Sequence, residues 1–204
     1  MRYMKTDLVK EDKAYYSAKK EPDLRSFGPL SYLTITGQGE PAGTAFTRAV
    51  EALFPLAYGI RKIYKLQDMI FSVPKLEGFW WVDSDKPALD VPRKEWFWKL
   101  LIRMPEYVTV ESVEQAKEQV IIKKGIQLVN DIHFETIEEG QCVQIMHIGP
   151  YSSEPETIAK MYAFMKNNNL IENGLHHEIY ISDPRKTAPE KMKTILRQGV
   201  RTSD

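Results

Sequence analysis

The strongest constraint on this chain is that it repeats itself. Thr-Ile-Thr-Gly37 is matched by Met-His-Ile-Gly149, the segment ending at Asp83 by the one ending at Asp183, and Lys99-Leu-Leu-Ile-Arg103 by Lys193-Thr-Ile-Leu-Arg197. Three matches in the same order are a duplication, the mark of one supersecondary unit used twice. In the first half, 31–37 alternates as a strand. Residues 44–66 follow as a helix with Phe46, Val50, Leu53 and Ala57 at helical spacing. Residues 69–73, 79–82 and 96–104 then read as strands. Pro55 removes a backbone donor and disfavours helix at Phe54, which predicts a kink or break there. Ser112 with Gln115 has the pattern of a capping box opening a connecting helix that Gly125 stops. The second half continues with strands at 132–137 and 142–148 joined at Glu139-Gly140. Gly149-Pro150-Tyr151 then turns into a helix capped by Ser153 with Glu156, and strands at 177–182 and 194–200 close the chain.

Each half is therefore strand, helix, strand, strand, with a helix available to cover one sheet face. Two such halves predict an α+β fold: tandem repeats forming an antiparallel-rich sheet, with helices on one face and a concave ligand pocket on the other. The expected organisation is one domain of 204 residues. It comprises an N-terminal arm over 1–29, a first repeat over 30–105, a connecting helix over 106–130 and a second repeat over 131–204.

Composition narrows the function classes. Lys+Arg and Asp+Glu are both 28, and this zero balance argues against a nucleic-acid partner or an anionic membrane held by bulk charge. The longest apolar run, 52–60, contains Pro55 and Gly59 and is too short to span a bilayer. The first residues have no apolar stretch behind their basic side chains, so no secretory signal is read there and a cytoplasmic setting is expected. The single cysteine, Cys142, excludes an internal disulfide and a Cys-rich zinc site. His133, His147, His176 and His177 lack metal-ligand spacing, and Gly37-Gln-Gly39-Glu-Pro41 lacks the third glycine of a dinucleotide fingerprint. No metal and no cofactor are expected. A G-x-S-x-G elbow is absent.

The chemistry-bearing candidates are aromatic and acidic. All four tryptophans, Trp80, Trp81, Trp96 and Trp98, fall on adjacent predicted strands. Aromatics at strand spacing ordinarily fill a core. Four together also suit an aromatic-walled pocket for flat or cationic ligands, because each buried indole N–H needs a partner. Glu178 lies mid-strand with Tyr180 on the side away from Ile179 and Ile181. Partial burial there strengthens a carboxylate's pull on cations, although an edge-strand glutamate paired to Lys or Arg is as common. The duplicate strand offers Glu77 or Gly78 at the matching place, depending on a one-residue choice of register. The Asp83/Asp183 match sets Trp80 against Tyr180. Tyr151, in a turn that is otherwise an ordinary strand-to-helix link, is placed to bring its hydroxyl to a pocket rim, beside the strand carrying His147. Trp98, Tyr58 on the first helix, Glu77 and His147 complete the substrate-binding candidates.

These residues carry a resemblance that spans essentially the whole chain. Tyr16-Ser-Ala-Lys19, Gly37-Gln-Gly39-Glu-Pro41, Glu77-Gly-Phe-Trp-Trp81, Trp96-Phe-Trp98, His147-Ile-Gly-Pro-Tyr151, His177-Glu-Ile-Tyr-Ile-Ser-Asp-Pro184 and Thr194-Ile-Leu-Arg197 together resemble the GyrI-like small-molecule-binding family. The family also supplies drug-sensing domains with an acidic residue in an aromatic pocket, and Glu178 matches that position. The Trp-rich, stand-alone branch is similar to a subfamily that includes cyclopropanoid cyclopropyl hydrolases, which add water across a strained cyclopropane. The resemblance implies a pocket for flat hydrophobic, aromatic or cationic molecules and hydrolysis of DNA-alkylating xenobiotics, a detoxifying role. Glu178 is then the general base, and Tyr151 or Tyr180 the donor to the substrate carbonyl. A non-catalytic multidrug-binding protein or a ligand-sensing domain is the alternative, since stacking and a carboxylate serve both.

Overall fold

The computed structural model describes residues 4–203. Its elements run β1 (Met4–Thr6), α1 (Leu8–Glu11), β2 (Asp23–Gln38), α2 (Thr44–Lys65), β3 (Met69–Phe71), β4 (Leu76–Trp81), β5 (Phe97–Arg103) and α3 (Val110–Lys124). They continue β6 (His133–Ile148), α4 (Glu154–Asn167), β7 (Leu170–Tyr180) and β8 (Lys193–Thr202). The chain divides into two compact units. The first takes in residues up to Glu11, Leu30–Leu76 and Trp80–Ile137, and the second Asp12–Pro29, Glu77–Phe79 and the chain from Glu138 onward.

In the first unit β2 pairs antiparallel with β5, from Tyr32↔Arg103 to Gln38↔Phe97. β4 follows β5 in strand order, and β1 pairs parallel with β3 separately. Strand alternation puts Leu33, Ile35, Trp98, Leu100 and Ile102 on one face, where they pack with α2 and α3 into one apolar core. α2 buries Ala49, Ala52, Leu53, Leu56 and Ile60 along one stripe. The helix runs unbroken through Pro55. Burial of Leu53 and Leu56 on either side, roughly 2 kcal/mol each, offsets the hydrogen bond that proline forfeits. The capping box of α3 is Thr109 with Ser112, not Ser112 with Gln115: Thr109 Oγ1 accepts from the Ser112 N–H and Ser112 reciprocates. Gly125 ends the helix at φ 68°, a left-handed position that glycine adopts without a Cβ penalty.

The second unit pairs β8 with β7 on one side and β6 on the other, both antiparallel. β4 lies next to β7 in strand order. Val143, Ile145 and Leu196 pack against Met161 and Met165 of α4. β6 is one strand where two were expected, because Gly140 at φ 63° absorbs the distortion without ending the strand. β2 likewise begins at Asp23, within the stretch expected as an N-terminal arm. Ser153 precedes α4 but spends its hydroxyl on the Pro150 carbonyl and leaves the helix without a side-chain cap.

Both repeats pair their first strand with their last. Gly39 (φ 127°) donates its N–H to the Trp96 carbonyl at 2.9 Å, and Gly149 (φ 144°) donates to the Met192 carbonyl at 3.0 Å. Each acceptor follows a one-turn 3-10 segment, Arg93–Glu95 or Pro189–Lys191. The structural counterpart of Gly149 is therefore Gly39 rather than Gly37. A slip of two residues leaves every side chain on its expected face, since the strand period is two.

Gly37 has its own constraint. It pairs with Trp98, and a Cβ there would meet the indole at 2.3 Å. Trp98 is buried among core residues and cannot swing away freely. Gly37→Ala is expected to destabilise the chain by about 1–3 kcal/mol, the usual cost of overpacking. Urea unfolding of the variant beside the parent checks this.

Candidate small-molecule site

In the second unit β7 alternates sharply. His177 and Ile179 are fully buried on one face, while His176, Glu178 and Tyr180 point to the other. Glu178 lies opposite Leu196 of β8, a member of the α4-packed core, so it shares the helix-bearing face of its sheet. Trp80 does the same in the first unit, packing with the core that α2 covers. Glu178 and Trp80 thus each lie on the helix-bearing face of their own unit. Alternation also places Glu77 away from the Trp80 face, which resolves the one-residue choice: Gly78 corresponds in facing to Glu178.

Glu178 is 13% exposed, and its ion-pair contact is His176 Nε2 at 3.6 Å. No Lys or Arg pairs with it among the described residues, so it is not the edge-strand salt bridge that spacing alone allowed. The Tyr151 ring meets Tyr180 edge-on at 6.0 Å. Burial, and then the negative charges of Glu154, Glu178 and Asp183, push the Tyr151 phenol up to about 12. It remains a protonated hydrogen-bond donor across the neutral range. His147 serves the turn itself. Its Nδ1 is 2.9 Å from Thr157 Oγ1 and its Nε2 is 3.2 Å from the Pro150 carbonyl, tying β6 to the start of α4.

In the first unit Phe46 of α2 stacks on Trp80 at 5.9 Å and meets Trp98 edge-on at 5.7 Å, while Trp96 meets Trp80 edge-on at 6.1 Å. Trp96 Nε1 donates to the Val91 carbonyl at 2.9 Å. The buried Trp98 indole N–H has no acceptor among the described residues. Trp81 points to the opposite face and stacks on Phe97. Tyr58 is exposed on α2, outside these ring contacts.

Glu77 is fully buried in the second unit and belongs to a cluster that sequence reasoning missed. Its Oε2 accepts from the Tyr15 hydroxyl and lies 3.1 Å from His177 Nε2. His177 Nδ1 lies 2.9 Å from Glu139 Oε1. Arg197 donates to Glu139 Oε2 at 2.7 Å, to Gln144 at 3.0 Å and to the Tyr15 carbonyl at 3.0 Å. The guanidinium sits over the Tyr15 and Phe27 rings at 4.5 and 4.1 Å. The available signal was parity: His177 shares a strand face with Ile179, and Arg197 with Ile195, which puts charges where a core face is due.

Among the described residues no helix is long and apolar enough to cross a membrane. No curated protein matches the chain. Solved structures do. One, an uncharacterized conserved protein from Listeria innocua, is 40% identical over 96% of this chain and 100% of its own, with a TM-score of 0.90. A hydrolase from Listeria innocua is 39% identical over 97% of this chain and 100% of its own, with a TM-score of 0.88. The EcmrR C-terminal domain, 12% identical over 90% of this chain and 98% of its own with a TM-score of 0.57, shares the fold alone. The model of the GyrI-like small molecule binding domain matches residues 20–198. With that match and an antiparallel-rich sheet built from two strand-helix-strand-strand repeats, the chain belongs to the GyrI-like small molecule binding domain family.

Proposed function

We propose that this chain binds flat hydrophobic small molecules and hydrolyses cyclopropane-bearing, DNA-alkylating xenobiotics, thereby detoxifying them. The observation that carries the reading is the pairing, in one unit, of a shielded carboxylate without a Lys or Arg partner, Glu178, and a phenol kept protonated beside it, Tyr151. Glu178 removes a proton from water as the water oxygen bonds to a cyclopropane carbon. The strained C–C bond breaks, and its electron pair passes through the conjugated ring to the carbonyl oxygen. Tyr151, with Tyr180 beside it, donates a hydrogen bond to that oxygen as it gains charge. Return of the proton to the new phenolate completes a net addition of water. Tyr180, which Tyr151 meets edge-on, supplies ring surface beside Glu178, Trp80 and Trp98 stay packed in the core of the first unit, and Glu77 and His147 act through the scaffold. The hydrolase from Listeria innocua supports a hydrolytic reaction at this level of similarity.

A second reading, sequestration or sensing of aromatic cations without turnover, is favoured by the same lack of a Lys or Arg partner at Glu178. Incubating the purified chain with a cyclopropanoid alkylator in excess and following product mass separates the two. Many equivalents of the water adduct are expected. Protection that stops at one equivalent rejects the enzyme reading.

A further inference from the structure

His177 and Glu178 are consecutive on β7 and face opposite ways. What grips His177 therefore acts on the same stretch of backbone that presents Glu178. His177 is held from every side. Glu77 on β4 and Glu139 on β6 face its two ring nitrogens, and the Phe79 ring lies 4.3 Å away, centroid to centroid. Tyr15 bonds the far side of this chain at Glu77, and Arg197 on β8 bonds it at Glu139. Side-chain exposure is 1% for His177, 0% for Glu77 and Arg197, and 10% for Glu139, so water does not substitute for any of these contacts. Carboxylates only accept hydrogen bonds, so both contacts are satisfied together only when both ring nitrogens carry protons. Removing one proton turns a lone pair toward a buried carboxylate, a repulsive and unsatisfied contact.

We propose that the buried Tyr15–Glu77–His177–Glu139–Arg197 chain is a positioning clamp that holds β7 between its neighbours through the protonated His177 ring, fixes the direction of the Glu178 carboxylate, and makes ligand capture at Glu178 weaken in alkaline solution. The proposal rests on the binding role of Glu178 argued above. The charges around the ring set where the change falls. Burial pushes the His177 imidazolium down, but Glu139 and then Glu77 push it further up, to about 8. Burial likewise raises Glu139, yet His177 and Arg197 outweigh it and hold the carboxyl at about 2. Burial pushes the Arg197 guanidinium down, but Glu139, then Tyr15 and Cys142, push it further up. The His177 ring accordingly changes charge between neutral and mildly alkaline solution.

The test is a fluorescence titration of the full chain with a flat aromatic cation, rhodamine 6G, from about pH 6.5 to 9.5. Affinity is expected to fall about tenfold with a midpoint near pH 8, one pKa unit being a tenfold change in an equilibrium constant. Glu77→Gln removes one of the two carboxylates facing the ring and moves that midpoint about one unit lower, which a merely structural residue would not do. His177→Gln binds weakly at all pH values with a flat profile, and it carries the test if Glu77→Gln does not fold. His176→Gln keeps the alkaline transition, which assigns it to His177. Binding by the parent chain that is constant across the range, or a transition that survives in His177→Gln, overturns the clamp alone. Absence of probe binding at every pH overturns the role of Glu178, and the clamp proposal with it.

Discussion

Glu139→Gln is expected to destabilise the chain by about 3–5 kcal/mol, the usual cost of removing one member of a buried ion pair. Among the described residues Glu139 alone is bonded to both buried cations, Arg197 at 2.7 Å and His177 at 2.9 Å. A glutamine keeps the shape and one acceptor but removes the charge, leaving a guanidinium and an imidazolium in a dry interior with Glu77 as the remaining counter-ion. Arg197 retains Gln144 and the Tyr15 carbonyl, which are dipoles and compensate only part of a full charge. Urea unfolding at neutral pH measures the loss. A change below about 1 kcal/mol, the range of exposed pairs, would mean that the cluster is not a stabilising unit.

The same groups shape the pH dependence of stability. The folded His177 stands at about 8, above the roughly 6.5 of an unfolded histidine. Its contribution is complete below about 6.5 and disappears as pH rises through about 8. The folded Glu139, at about 2, stands below its ordinary 4.5, so its contribution is complete above 4.5 and disappears as pH falls through about 2. The two windows overlap in mildly acidic solution.

The second large effect is expected at the reaction. Glu178→Gln is predicted to lower turnover of a cyclopropanoid alkylator by about 10²–10⁴-fold, the range for loss of a general base. The amide cannot take a proton from water, while the stacking surfaces that hold a flat substrate are untouched, so binding should persist in part. Measuring kcat by product mass and Kd by titration on the same variant separates the two. An unchanged kcat would remove Glu178 from the mechanism. Tyr151→Phe serves as a companion: it removes the donor expected at the developing oxyanion and should lower kcat more than it weakens binding.

Much of this molecule was legible as pattern. The repeat of strand, helix, strand, strand follows from alternation at 31–37 and 142–148 and from the helical spacing of Phe46, Val50, Leu53 and Ala57. The shared facing of Glu178 and Tyr180 follows from parity alone. Patterns of that kind depend on one residue and its near neighbours along the chain. The continuity of β6 through Gly140 and of α2 through Pro55 did not follow, because in both a local signal to stop is outweighed by burial and pairing on either side. The side of the sheet that carries the candidate residues was equally out of reach. Alternation tells which residues face together, but only the packing of α4 on Leu196 and of α2 on Trp80 tells which way that is.

The tryptophan strands, the acidic position at Glu178 and the family likeness were determined by the order of amino acids, through periods of two and 3.6 that need no knowledge of distant contacts. The buried cluster was decided by the fold. Tyr15, Glu77, Glu139, His177 and Arg197 come from five separated stretches of chain, and none carries a local signal of its partners. A charge is tolerated in an interior only where opposite charges and hydrogen bonds converge on it, and that convergence exists only once the strands have paired.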